Sequence, residues 1–312
     1  MKGLELSRRF FDACAKDEIE KKFPGLSQRI AVGLAGEGSE CFGFDDEISC
    51  DHDFEPGFCL WLSDEDYEKY GFELERFYSK LPKEYGGYSR QLLSPVGGNR
   101  HGVMTTGGFY EKFTGSQSTP LSTDQWLYVP PSSLACATNG EVFYDASGEF
   151  SRIRNELLLG YPRNILLKKL AAHTIMMVQS GLYNYTRCIK RGENGSAQLS
   201  VFEFVRHTIS VIYLLNNKYE PFYKWAYRGM RELAVLSGLE DSLVALTELG
   251  NSADEAKAKA ESIEEICILI AEEINRQKLS DKPATDLEKL AATLQNSITD
   301  TNLRNYHIMD GI

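Results

Sequence analysis

The sequence is short of most familiar catalytic signatures. It has no CxxC pair, no HExxH, no GxSxG and no GxxxxGK[ST]. These absences leave a zinc hydrolase, an α/β-hydrolase and a P-loop kinase without an anchor. The seven cysteines are odd in number and scattered from Cys14 to Cys267. That pattern suggests neither a disulfide framework nor a zinc cluster, and a reduced, cytoplasmic setting is expected. No apolar run approaches the length of a membrane span, so no membrane partner is expected. The opening MKGLELSRRFFDACAKDEIEKKF is amphipathic and lacks the apolar core of a secretory leader.

Positive charge is also in deficit, with 34 Lys and Arg against 45 Asp and Glu. A net charge of -11 argues against a nucleic-acid partner, because a phosphate backbone demands cations. The deficit is uneven. Residues 1–150 carry 14 basic and 25 acidic groups, residues 151–232 carry 13 and 5, and residues 233–312 carry 7 and 15. A basic middle lies between two acidic ends, which would suit an anion plus a metal if the middle faced the acidic part.

With 312 residues the chain can hold two cored domains. Residues 4–22 read as an amphipathic helix broken by Pro24-Gly25. RIAVGLAG (29–36) reads as a buried strand and DHDFEPGFCLWL (51–62) as a second, with Pro56 at a bulge or edge. A helix capped by Ser63 follows. GVMTTGGFY, DQWLYVP and GEVFYD read as further strands or turns. From about residue 152 the pattern is helical, with Pro162 near a helix start. The expected fold is α+β: a small mixed sheet with flanking helices over residues 1–150, then an all-helical domain over 151–312.

The chemistry is concentrated in GEGSECFGFDDEISCDHDF, residues 36–54, which holds seven acidic side chains. On a strand, Asp51 and Asp53 would share one face, with His52 and Phe54 on the other. Two hard carboxylates suit magnesium, which keeps places for water and phosphate. Glycines at 36 and 38 would let the backbone approach an anion, and the Ser39 hydroxyl would hold phosphate oxygens. Asp45, Asp46 and Glu47 read as solvated or helix-capping groups. His173, on an apolar helix, reads as a packed core residue.

An apolar strand, Gly38-Ser39, and then Asp51-His52-Asp53 resembles the signature of the DNA polymerase beta-like nucleotidyltransferase superfamily. The fuller string GEGSECFGFDDEISCDHDFEPG, with YNYTRCIKR and FYKWAYRGM, resembles an uncharacterised bacterial branch, domain-of-unknown-function family 4037. The resemblance implies a nucleotidyltransferase that moves a nucleoside monophosphate, AMP by expectation, from NTP to a hydroxyl of a small-molecule acceptor. It implies two Mg2+ ions on Asp51 and Asp53, with Gly38 and Ser39 on the phosphates. Superfamily members bear a third carboxylate on a later strand; Asp124, at the start of DQWLYV, is preferred here over Glu111. Arg187 and Lys190, with Lys224 and Arg228 on one helix face, are the cations expected to meet the triphosphate. Two rivals stand beside this reading: a non-catalytic nucleotide-binding or interaction protein, and nucleotidyl transfer to RNA or protein.

Overall fold

A computed structural model describes residues 1–51, 54–90 and 100–312; of Cys50 and Asp51 the backbone alone is described. The chain divides into two compact units, Met1–Gln125 with Val129–Leu159, and Trp126–Tyr128 with Gly160–Ile312.

The first unit is built on a four-stranded mixed sheet. Its strands are β1 (Ala31–Leu34), β2 (Cys59–Leu62), β5 (Gly102–Thr105) and β6 (Glu141–Asp145), in the order β5-β2-β1-β6. A two-stranded ribbon, β3 (Glu84–Tyr85) and β4 (Tyr88–Ser89), stands apart from it. β1 is antiparallel to both β2 and β6, while β2 and β5 run parallel. Every residue of β1 and β2 is buried, as expected of central strands with both faces covered.

Side-chain alternation divides the core in two. Phe58, Leu60 and Leu62 join Ile30 and Val32 against Phe10, Phe11, Leu74 and Phe77. Those partners come from helices α1 (Gly3–Cys14) and α3 (Asp64–Ser79). Trp61 points the other way and stacks on Phe150 with ring centroids 3.8 Å apart. Phe109 meets its edge at 5.5 Å. Phe109 lies in α4 (Thr106–Thr114) and Phe150 in α7 (Glu149–Leu158).

Several boundaries differ from the sequence reading. The first helix breaks at Ala15, and α2 (Lys16–Lys22) follows it. Residues 51–62 are not one strand. Ile48–Asp51 form a 3-10 turn and β2 begins only at Cys59. The Pro56-Gly57 pair explains the late start, since proline has no N–H for a ladder and glycine packs no side chain in one. GVMTTGGFY divides into β5 and the start of α4, capped by Thr105, whose hydroxyl accepts the Gly108 N–H at 2.9 Å. DQWLYV is the helix α5 (Thr123–Tyr128), not a strand, because Ser122 and Gln125 close a capping box at its start. α6 (Pro131–Thr138) then leads into β6. The Ser63 cap of α3 is as expected, its hydroxyl accepting the Asp66 N–H at 3.2 Å.

The second unit is helical. It comprises α8 (Arg163–Met177), α9 (Thr186–Lys190), α10 (Asn194–Leu215), α11 (Tyr223–Met230), α12 (Glu240–Glu248), α13 (Ala253–Arg276), α14 (Leu287–Asn296) and α15 (Thr301–Arg304). A π-helical stretch, Val178–Tyr185, joins α8 to α9. Gly181 lies within it, where an added Cβ would come within 3.0 Å of the Phe204 ring. His173 of α8 is buried, as the sequence suggested, and faces His207 of α10 with Nδ1 atoms 2.9 Å apart. Among the described residues no helix is long and apolar enough to cross a membrane.

Candidate functional site

Strand register gathers four chain segments at one end of the sheet. β1 ends where its antiparallel neighbours begin, with Gly33 opposite Cys59 and Leu34 opposite Glu141. β5 begins at the same level, with Gly102 opposite Cys59. The loop after β1, the segment leading into β2, residues 100–101 and the Asn139-Gly140 turn therefore meet there.

The loop after β1 has a backbone only glycine adopts readily. Gly36 has φ +114° and Gly38 has φ +124°. The Asn139 carboxamide clamps Gly36 twice: Oδ1 accepts the Gly36 N–H and Nδ2 donates to the Gly36 carbonyl, both at 2.8 Å. Gly140 N–H donates to the Cys41 carbonyl at 2.8 Å. A side chain at Gly140 would strike the Leu34 carbonyl and Ala35. Arg154, whose guanidinium donates to the carbonyls of Asn139 and Gly140 at 3.3 Å each, holds that turn from behind.

Gly38 lies against charge. An added Cβ would sit 2.6 Å from the Arg100 Nη1 atom and would collide with the Glu40 carboxylate. Arg100 Nη1 also donates to the Glu37 carbonyl at 3.3 Å and lies 3.4 Å from Glu40 Oε1. Lys112 pairs with Glu37 at 2.8 Å. Ser39 is half-buried, opens the 3-10 turn Glu40–Phe42 and makes no side-chain cap bond to it. Cys41 and Cys59 are buried nearby, donating to the carbonyls of Glu37 and Arg100 at 3.5 and 3.3 Å. Burial pushes both thiols up, Cys59 to about 12, so neither is a ready thiolate nucleophile.

The acidic run is largely structural where it is described. Asp45 is buried and caps α1, accepting the Gly3 N–H at 2.8 Å, with Lys2 at 3.3 Å. Asp46 Oδ1 accepts from the Ile48 and Ser49 N–H groups and from the Ser49 hydroxyl, at 3.1, 3.0 and 2.8 Å. That geometry nucleates the 3-10 turn in place of a strand. Beyond it, Glu55 Oε1 lies 3.1 Å from His101 Nδ1.

The residues singled out from sequence fall into different places. Gly38 and Ser39 lie in the glycine loop beside Arg100. Asp51 closes a 3-10 turn, so the expected two-residue alternation along a strand does not hold at that position. Asp53 lies outside the described residues. Asp124 is exposed in the first turn of α5, so the strand expected to carry it beside the motif is a helix. Glu111 is exposed on α4 and accepts from Gln117 at 3.0 Å.

Arg187, Lys190, Lys224 and Arg228 all belong to the second unit. Arg187 lies over the Tyr183 ring at 5.5 Å. Lys224 and Arg228 lie over the Trp225 ring at 5.2 and 5.7 Å. Arg231, on the same helix face, is tied to Glu240 at 2.8 Å. The sequence reading missed Glu40, Glu55, Arg100, His101 and Asn139. Asn-Gly before an alternating strand was a readable turn signal for the last of these. The others are paired between loops and turns distant in the chain, and no local pattern marks such pairs.

Comparison with known proteins gives two matches. No curated protein matches the chain. A crystal structure of a nucleotidyltransferase-like protein from Exiguobacterium sibiricum 255-15 aligns over 93% of this chain and 91% of that one, at 9% identity and a TM-score of 0.38. Residues 126–226 match the family model described as Domain of unknown function (DUF4037), which bears out the resemblance read from the sequence over that stretch, and the glycine loop lies outside it.

Proposed function

We propose that the protein is a magnesium-dependent nucleotidyltransferase that moves a nucleoside monophosphate, AMP in the first instance, from NTP to a hydroxyl of a small-molecule acceptor and releases pyrophosphate. The observation that carries this reading is the loop after β1. Two glycines with positive φ stand at the end of a central strand, and a guanidinium lies against the second of them. Backbone N–H groups in such a loop can face an anion closely, and Arg100 adds a charge matched to phosphate oxygens. The Ser39 hydroxyl gives a further donor. Arg100 lies within the same unit as the loop, so the reading does not depend on the basic helices of the second unit.

The two carboxylates proposed to hold magnesium, Asp51 and Asp53, have side chains outside the described residues. The described carboxylates at this sheet end face cationic or imidazole partners: Glu37 faces Lys112, Glu40 Arg100, Glu55 His101 and Glu141 Arg8. Among the described residues no group of three or more His, Cys, Asp or Glu is placed to hold a metal. The Asp-x-Asp resemblance, not the described geometry, assigns the metal to Asp51 and Asp53, and magnesium prefers such hard oxygen ligands. Bound there, magnesium would neutralise charge on the phosphate oxygens of the nucleotide.

Calorimetry with ATP, with and without magnesium, tests the reading beside pyrophosphate release from ATP in a metabolite extract. Asp51→Ala and Asp53→Ala are expected to abolish magnesium-dependent binding and to leave the fold intact, since each removes one of two like charges held close together. Arg100→Ala is expected to weaken ATP by about 1.5–3 kcal/mol, the worth of a hydrogen bond to a charged group, and adenosine much less. Binding unchanged in both aspartate variants would sink the metal assignment. Nucleotide binding without any pyrophosphate release would favour a binding-only protein.

A further inference from the structure

The proposed transfer leaves one role open. The acceptor hydroxyl must lose a proton as it attacks, and the acid expected for that task, Asp124, lies exposed on a helix. We infer that His101, oriented by Glu55, is the general base of the transfer, an assignment that rests on the nucleotidyltransferase reading.

Three observations support it. The first is the pairing. His101 Nδ1 lies 3.1 Å from Glu55 Oε1, and the two side chains are only 8% and 20% exposed. A carboxylate accepts and cannot donate, so Nδ1 carries the hydrogen and the lone pair is left on Nε2. Among the described residues no hydrogen bond to Nε2 is seen. The pair therefore has the form of a base and its orienting acid.

The second observation is the space made for the ring. Gly57 has no side chain, and an added Cβ there would lie 2.7 Å from His101 Cγ and closer still to Nδ1. The strands beside it are tied by the Gly102 N–H, which donates to the Phe58 carbonyl at 2.9 Å. The imidazole is thus held between a carboxylate and bare backbone, with little freedom to turn.

The third observation is location. His101 directly follows Arg100, whose guanidinium touches the Gly38 loop. Glu55 follows Asp53 by two positions in the chain. The dyad and the glycine loop therefore stand at the same end of the same sheet.

The step balances without a further reactant. The acceptor's proton passes to His101 Nε2 while its oxygen pair forms the bond to the α-phosphorus. The bond from that phosphorus to the bridging oxygen breaks, and pyrophosphate leaves with the electron pair. Glu55 stabilises the imidazolium and does not itself take the proton.

The test uses the full chain, with magnesium and ATP as donor and a metabolite extract as the acceptor pool. Pyrophosphate release reports turnover, and calorimetry with α,β-methylene-ATP reports binding. His101→Gln is expected to lower turnover about 10²–10⁴-fold, the usual contribution of a positioned base. Binding should stay within about twofold of the parent, a shift well under 1.4 kcal/mol, and the acid limb of the parent's pH profile should disappear. Glu55→Gln keeps an oxygen that accepts from Nδ1 and loses the charge. It is expected to fold like the parent and to fall between the parent and His101→Gln in turnover, which carries the test if the histidine variant is unstable.

A merely structural staple would move binding and stability together with turnover, and that result overturns the inference. So does a His101→Gln variant as active as the parent, above all if Asp124→Asn is the inactive one. A parent that binds nucleotide but releases no pyrophosphate removes transfer and base together. A parent that binds no nucleotide refutes the functional reading itself, so the two failures are told apart.

Discussion

Removing the Asn139 carboxamide tests how the glycine loop is held. Asn139→Ala deletes two hydrogen bonds of 2.8 Å to one peptide, the N–H and carbonyl of Gly36. Each ordinary bond contributes roughly 0.5–1.5 kcal/mol net, and a buried group left without a partner costs roughly 1–3 kcal/mol. Gly36 is buried, so water does not readily replace the lost amide. The cost should therefore sit above the simple pair of bonds, at about 2–4 kcal/mol. For a unit of this size that lowers the melting temperature by roughly 4–16 °C.

Asn139→Asp sharpens the test. It keeps an acceptor for the Gly36 N–H but sets an anionic oxygen against the Gly36 carbonyl, so it should be no better than alanine at neutral pH. It should recover part of the loss in acid, where a protonated carboxyl can donate. Urea melts of the three proteins give the energies, and calorimetry with magnesium and ATP gives the effect on the loop. A loss below about 0.5 kcal/mol, the size of a neutral surface change, would mean that the clamp does not organise the loop.

Three further outcomes are expected. Gly38→Ala forces a side chain into φ +124° beside Arg100, a strain of roughly 1–3 kcal/mol; ATP binding should weaken while the second unit melts as before, and unaltered affinity would remove the loop from the nucleotide site. Burial holds His207 down at about 4, with Arg206 adding to the effect, so the folded protein binds fewer protons than the unfolded chain. Stability should fall as pH drops from roughly 6.5 toward 4, by about 1.4 kcal/mol per unit at most, and acid melts of His207→Gln should be flatter than the parent's. Lys169 is buried among carbonyls, donating to Leu127 and Gly311 at 2.7 and 3.0 Å, and burial lowers it to about 8. Folded protein then binds fewer protons between about 8 and the ordinary 10.5, so stability should rise with pH across that window, and the rise should shrink in Lys169→Met, Lys168 supplying the remainder. An undiminished rise would place the titration elsewhere.

The elements that local chemistry specifies were legible in the sequence. Ser63 announced α3, an apolar run ending in glycine announced β1, and Glu141–Asp145 announced β6. The Gly38-Ser39 loop was legible too, because only glycine takes its backbone. The Asp-x-Asp strand was misplaced. Alternation suggested a strand from residue 51, but the Asp46 side chain closes a turn before it and Pro56-Gly57 delay the ladder to Cys59. DQWLYV shows the same rule in reverse, an aromatic and apolar run made helical by the capping box around it. Arg100, His101 and Glu55 were not legible, because each is defined by a partner in a loop or turn distant in the chain. Nor was the π-helical stretch Val178–Tyr185, since no residue in it marks a change of helical pitch.

The Gly36–Asn139 clamp also sets an order of events in folding. Its two halves lie 103 residues apart in the chain. During synthesis β1 can pair with β2 early, but its other edge stays open until β6 has emerged. Until then the chain carries an unpaired apolar strand edge, the kind of surface that invites association with another chain. A fragment ending before Asn139 would hold the whole acidic motif and the whole glycine loop, yet it should be aggregation-prone and unable to fix that loop.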